Sequence, residues 1–431
     1  MKRLSLFLFL LFCTVCPAVC EDRSEVLKVY DWPEAVTDEV IAGFPEFYKR
    51  YTGKNIRVQY QTFDSDIATL NQIVASHDDW DVLTLSNMYL VKYIQNGTLI
   101  PIDRSYLKKY NAPDYIGNLS PFLREKLNEC STEFKVADYF APFTLNSCGF
   151  VFDSDIYSRS DFSSWNALRD PKYKGQILFI SDPTDLYYVA LADIYHEELL
   201  AGKLTLKDLY WEYNDSYPDK IREWGKEADP QISGWDTGFG CDYMVHGKVP
   251  VKVSWLTDAN YIIELSKEEG GPALDFVIPD EGGYLCSDGQ VIPRYCGNPE
   301  AAVFWINYLQ KSDVVISNLG LELSNMVVAD TIVLEAIQDR ERYPNPVDLS
   351  YLFPDCPEKA SEVYVNDALY IDAKNIDKFS FCGDISNNID NLLLLLAEIQ
   401  SQKTSLVEFW PEAIICVVLL ALLIAKLMKK K

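Results

Sequence analysis

Two aspartates three residues apart, Asp182 and Asp185, stand in SDPTD immediately after the apolar run QILFI. The run reads as a strand. Open α/β sheets bind ligands beyond the carboxyl ends of their strands, so two carboxylates there are suited to holding a cationic group. The same spacing suits a helix start, with Asp182 as N-cap and Asp185 as first-turn acid, and both uses stand. Enzyme chemistry has no comparable footing. The three histidines, His77, His196 and His246, fall in no HExxH and beside no candidate nucleophile, and GxSxG, Walker and GxGxxG patterns are absent. The cysteines form neither CxxC nor an alternating Cys/His spacing. The sequence therefore calls for no metal, no cofactor and no catalytic residue.

The elements that must position such acids alternate in type. LKVYDW (Leu27 to Trp32) reads as a first strand, and DEVIAGFPEFYKRYTG (Asp38 to Gly53) as an amphipathic helix stopped by a glycine. NIRVQYQTF is a second strand, DIATLNQIVAS a helix, and DVLTLS (Asp81 to Ser86) an apolar strand of the kind buried in a parallel sheet. The alternation runs from Val26 to about Asn375 and gives an α/β class. IDNLLLLLAEIQ (Ile389 to Gln400) reads as a helix leading to the C-terminal apolar segment. A chain of 431 residues, 48% hydrophobic and 24% charged, is long enough for two domains with sizeable cores.

Both ends point to a membrane. Lys2 and Arg3 precede the apolar stretch Leu4 to Phe12, with Ala18 and Cys20 at the spacing a signal peptidase accepts, so residues 1–20 read as an export signal. Cys20 as a lipidated first residue is the competing reading. Ala413 to Ala425 is uncharged, flanked by Phe409 and Trp410 and by Lys426 and Lys429 to Lys431. Thirteen residues span only roughly 20 Å of a core about 30 Å thick. The flanks extend the run to an anchor over 409–428, and the basic tail 429–431 then faces the cytoplasm. A buried C-terminal helix is the alternative. The net charge is −25, and loss of the first twenty residues removes two lysine or arginine charges and no acid. Nucleic acid is thereby disfavoured as a partner and a cation is attracted, although such charge also serves solubility. Eight cysteines follow Cys20, and their pairing stays open.

Several blocks together resemble a known family. They are VYDW, FDSD (Phe63 to Asp66), DVLTLSNMYLVKYIQNGTLIPID (Asp81 to Asp103) and APFTLNSCGFVFDSDI (Ala141 to Ile156). SSWNALRDPKYKGQILFISD (Ser163 to Asp182), GKVPVKVSWLTDA (Gly247 to Ala259), PDEGGYLCSD (Pro279 to Asp288) and NPEAAVFWINYL (Asn298 to Leu309) follow in order. Over Leu27 to Asn325 the chain is similar to the spermidine/putrescine-binding extracytoplasmic proteins of ABC-type uptake systems. The resemblance implies the bilobal type II periplasmic-binding-protein fold and a polyamine site of carboxylates and aromatic faces. By position it implies Trp32, Ser86, Asp182, Asp185, Trp235, Trp255 and Asp258 as ligand-binding residues. Ala35, Met88, Cys286 and Leu321 stand where the family tends to place other cleft-lining residues.

The expectation is then an α/β chain with two lobes around a hinge and cleft. The first lobe would hold 26–146 plus 256–312, and the second 147–255 plus 313–375. Residues 376–408 would form a C-terminal helix and linker before the anchor. Closure of the lobes on a small cationic ligand, a polyamine, would create the surface an ABC permease recognises on the extracytoplasmic side. The competing readings are a tethered receptor for another solute such as an amino acid, and a ligand sensor.

Overall fold

The strands, in chain order, are β1 (Val26–Asp31), β2 (Arg57–Thr62), β3 (Val82–Ser86), β4 (Leu99–Ile100), β5 (Ala141–Pro142), β6 (Cys148–Asp153) and β7 (Ile177–Ile180). They continue as β8 (Ile232–Asp236), β9 (Val251–Trp255), β10 (Leu274–Val277), β11 (Gly283–Leu285), β12 (Asp288–Pro293) and β13 (Phe379–Phe381). The helices that matter here are α1 (Asp38–Thr52), α2 (Pro121–Glu129), α3 (Pro183–Ile194), α4 (Leu206–Tyr210) and α5 (Tyr217–Ala228). After them come α6 (Leu256–Glu269), α7 (Pro299–Leu309), α8 (Ser312–Leu319) and α9 (Ile389–Thr404). This computed structural model describes residues 23–404 apart from 34, 64–68, 70, 71, 74, 212, 237–240, 320–326, 368 and 384. The export signal, the 409–428 anchor, its tail and Leu321 lie outside the described residues.

The first sheet runs β2-β1-β3-β12-β4, with β5 also on β12, and the second runs β10-β6-β9-β7-β8. Each is built on three mutually parallel strands. β1 is parallel to β2 and β3, and β7 to β8 and β9, while β12 and β6 enter antiparallel from the opposite lobe. Parallel strands covered on both faces are mostly apolar, and β3 and β7 are buried along their whole length.

Helix α1 shows how local signals set the elements. Thr37 caps it, accepting from Val40 N–H at 3.3 Å, and Gly53 ends it at φ 73°. Val40, Phe44, Phe47 and Tyr48 share its inner face, and Phe44 meets Trp305 of α7 edge-on at 5.1 Å. Each such side chain contributes about 1.5–3 kcal/mol by leaving water.

The lobe limits differ from those read in the sequence. Residue 256 is not a crossing, because β10 pairs antiparallel with β6, Leu274 opposite Asp153, and so keeps α6 and β10 in the second lobe. The chain passes into the second lobe between β5 and β6 and returns between β10 and β12. The two passages are joined where Asn146 and Cys286 bridge. α8, placed in the second lobe by the sequence reading, packs on α1 and α7 of the first.

The C-terminal segment returns to this junction. β13 pairs in parallel with the crossing strand β11. Gly282, at φ 82°, is required there, since a Cβ would lie 1.8 Å from the carbonyl oxygen of Lys378. Helix α9 then packs on α3 and α5 of the second lobe. Among the described residues no helix is long and apolar enough to cross a membrane.

Candidate ligand-binding site

β7 delivers Asp182 to the N-cap of α3. Its Oδ1 accepts from the backbone N–H groups of Thr184 (2.8 Å) and Asp185 (3.1 Å) and from the Thr184 hydroxyl. Asp182 thus does the capping its position suggested. Asp185, one turn on, is 1% exposed and accepts from the Tyr284 hydroxyl, which also meets Cys148 Sγ at 2.6 Å. Burial pushes the Asp185 carboxyl well above its ordinary range, and the neighbouring Asp182 charge raises it further. Hydrogen bonds from Tyr284 and Trp255 oppose the shift. Burial also raises Asp182, against the Thr184 and backbone bonds.

β9 ends at Trp255, whose half-buried ring packs on the second-lobe core, and α6 begins directly after it. Asp258 lies in the first turn of α6, 7% exposed, and is pushed up to about 7 by burial. Lys252 opposes that rise, while Asp288 and Asp236 add to it. Lys252 is itself buried, 3.7 Å from Asp236.

The first lobe supplies Asp31 and Asp288. Asp31 ends β1, fully buried, with Oδ1 accepting from Trp32 N–H at 2.8 Å. Burial raises it to about 6, against the nearby Thr84 and Tyr60 hydroxyls and the Trp32 N–H bond. Asp288 opens β12 opposite Ser86 of β3, and the Thr144 hydroxyl donates to it at 3.4 Å. It too is raised to about 6 by burial, against Thr144 and with help from the Asp31 charge.

The mutual repulsions trace one chain of carboxylates from lobe to lobe: Asp31 acts on Asp288, Asp288 on Asp258, Asp258 on Asp185, and Asp182 on Asp185. Tyr89 of the first lobe and Thr184 of the second approach to 3.4 Å, so the lobes meet beside it. Of the residues named from sequence, Asp182, Asp185, Trp255 and Asp258 come together. Ser86 joins through Asp288, and Trp32 through Asp31, its ring tilted on Phe63 at 4.6 Å. Trp235 is placed less directly. Its ring rests on Phe179 at 5.2 Å, while the adjacent Asp236 reaches the cluster electrostatically. Met88 and Cys286 pack into the second-lobe core, and Ala35 lines a small cavity with Phe143 and Gln310. Sequence reasoning missed Asp31, Asp288, Tyr284 and Lys252. All four lay inside blocks already singled out, VYDW, PDEGGYLCSD and GKVPVKVSWLTDA.

Residues 44–317 match the family of bacterial extracellular solute-binding proteins. The chain belongs to that family. The spermidine/putrescine-binding periplasmic protein of Escherichia coli K12 is 25% identical to this solute-binding protein over 329 residues, 75% of this chain and 84% of the other. Among solved structures, the spermidine/putrescine ABC transporter substrate-binding protein PotD of Streptococcus pneumoniae superposes with a TM-score of 0.62 at 18% identity. The match covers 88% of this chain and 100% of the other. MotA of A. tumefaciens B6, solved with glucopine, gives 0.54 at 13% identity, over 87% and 99%. These likenesses establish the periplasmic-binding-protein fold for the two-sheet architecture.

Proposed function

We propose that this solute-binding protein captures a polyamine of the putrescine or spermidine kind between its lobes and presents it to an ABC permease. The observation that carries the reading is the run of five carboxylates, Asp31, Asp288, Asp258, Asp185 and Asp182, with one buried lysine among them. Such a row is short of positive charge, and a flexible chain of ammonium groups supplies it at intervals. Trp255 and Trp32 offer apolar faces for the intervening methylenes. The seven residues named from sequence form the ligand set in this reading, with Asp31, Asp288 and Tyr284 added. Binding and lobe closure suffice, and no bond is made or broken. The names of the relatives support this ligand class.

Export by residues 1–20 and tethering by 409–428 complete the proposal. The tether then leaves the second lobe, on which α9 packs. A second reading has one observation in its favour: Lys252 can hold a carboxylate, so an amino acid with its ammonium on Asp258 would also fit the charges. Calorimetric titration of the exported domain with putrescine, spermidine and γ-aminobutyrate separates the two. Submillimolar binding of a polyamine is expected, and binding of the amino acid alone would replace the proposal with the second reading.

A further inference from the structure

We propose that Cys130 and Cys382 form a redox-modification site, a reversible disulfide that staples the first lobe to the C-terminal strand lying on the hinge. Cys130 is the C-cap of α2; its Sγ lies 3.6 Å from the Lys126 carbonyl oxygen of its own helix and 3.9 Å from the backbone oxygen of Cys382, across 252 residues of sequence. The sulfur therefore lies beside the backbone of the residue it would bond. The Cys382 thiol, 3% exposed, faces the Tyr188 hydroxyl of α3 and lies within the electrostatic reach of Cys130. No disulfide joins the described cysteines.

The pair sits on a seam between moving parts. Beside Cys130, Glu129 accepts from Lys207 of α4 at 3.2 Å, one lobe to the other. Beside Cys382, Gly383 N–H donates to Tyr210 O at 3.0 Å, and β13 lies along the crossing strand β11. A bond here ties α2 of the first lobe to a strand held by the second lobe and by the hinge. Opening would then require the strand to follow the first lobe, so the oxidised protein exchanges ligand more slowly.

Access decides the order of events. Cys296 and Cys356 are half-buried like Cys130, but within this pair Cys130 is half-buried and Cys382 buried, so an oxidant enters the pair at Cys130. The Cys130 thiolate attacks a disulfide of the oxidant, breaking its S–S bond and releasing one thiolate. The Cys382 thiolate then attacks the Cys130 sulfur of the mixed disulfide and expels the second. Two electrons pass from the cysteines to the oxidant, and the two thiol protons end on its two sulfurs. The oxidant is a dithiol–disulfide carrier or small-molecule disulfide of the kind found where exported proteins fold. Burial, the main cause of the raised Cys382 thiol, makes the second step the slow one.

The test uses the full chain in detergent, reduced and then exposed to oxidised glutathione, alkylated, and mapped by peptide mass. A Cys130–Cys382 cross-link reversed by dithiothreitol is expected. Closing so long a loop should raise the thermal midpoint by about 5 °C or more, and Cys130→Ser should abolish both cross-link and rise. Cys130 is half-buried at a helix end, so that variant keeps its fold. A Cys286–Cys382 or Cys148 linkage, a glutathione adduct that stops at Cys130, or no reaction would each overturn the site. A Cys130–Cys382 linkage with an unchanged midpoint and unchanged ligand off-rate would overturn the staple.

Discussion

Asn146 and Cys286 exchange both backbone hydrogen bonds, at 2.7 and 3.0 Å, where the two passages between the lobes run side by side. The Asn146 side chain extends this junction: Oδ1 accepts from Ser147 and Leu256 N–H at 3.1 Å each, and Nδ2 donates to Thr257 Oγ1 at 2.9 Å. One residue thus fixes both a hinge strand and the start of the helix that carries Asp258. Asn146→Ala should remove about 2–3 kcal/mol of stability, because buried N–H groups lose their acceptor. Urea unfolding measures it. A loss under about 0.5 kcal/mol would mean that the hinge does not depend on this side chain.

Asp258, Asp31 and Asp288 make the empty protein sensitive to pH. Their folded values of about 7, 6 and 6 lie above the ordinary aspartate value of 3.8, so the folded state binds more protons than the unfolded state in between. Stability is therefore greatest near pH 4 as far as these groups are concerned, and falls as pH rises towards about 7. A bound polycation favours the ionised acids and reverses the trend, so polyamine affinity should rise from pH 5.5 to pH 8 with release of protons. Titration calorimetry in two buffers of different ionisation enthalpy reads that release directly. Identical heats in both buffers would contradict it.

Asp258→Asn should weaken putrescine binding by about tenfold to a hundredfold, the effect of losing one charge-assisted bond. The empty protein should unfold at the same or a higher temperature at pH 8, since the variant removes a buried charge that Asp288 and Asp236 repel. Equal affinity in the two proteins would take Asp258 out of the site.

Trp255 and Trp305 offer a contrast between two uses of one residue type. Trp305 is fully buried against Phe44, and its replacement by alanine should cost about 3–5 kcal/mol of stability while the surviving folded protein binds normally. Trp255→Ala should do the opposite, lowering affinity several-fold with a smaller change in melting temperature. A Trp255 variant that melts like the Trp305 variant and binds like the parent would make Trp255 a core residue.

The elements with strong local signals were legible in the sequence. The apolar stripe of α1, its glycine stop and the mostly apolar β3 need no tertiary information. The lobe boundary was not legible, because the short strand LDFV is assigned by its long-range partner β6 rather than by its own residues. The acids divide in the same way. Asp182 and Asp185 announce themselves as a pair, whereas Asp31 and Asp288 are single acids at strand ends that meet only when β1 and β12 share a sheet. Lys252 was hidden by alternation. In VKVSW it reads as the polar face of a strand, yet both faces of β9 are covered and the lysine is 1% exposed.

That lysine gives the sharpest division between ligand classes. Lys252 is the cation that opposes the rise at Asp258, and it lies 3.7 Å from Asp236. Lys252→Met keeps the length and the apolar contacts of the side chain while deleting its charge. The empty cleft becomes more negative, and its acids hold their protons more tightly, so the variant should lose stability as pH rises above 7. A polyamine replaces the missing charge, and its affinity at pH 8 should stay level or increase. A ligand that places a carboxylate on Lys252 loses its partner and should bind at least tenfold more weakly. Parallel titrations of parent and variant with spermidine and γ-aminobutyrate measure both arms. Loss of spermidine binding in a variant that still melts cooperatively would show that Lys252 shapes the site for an anion, and the polyamine assignment would fall.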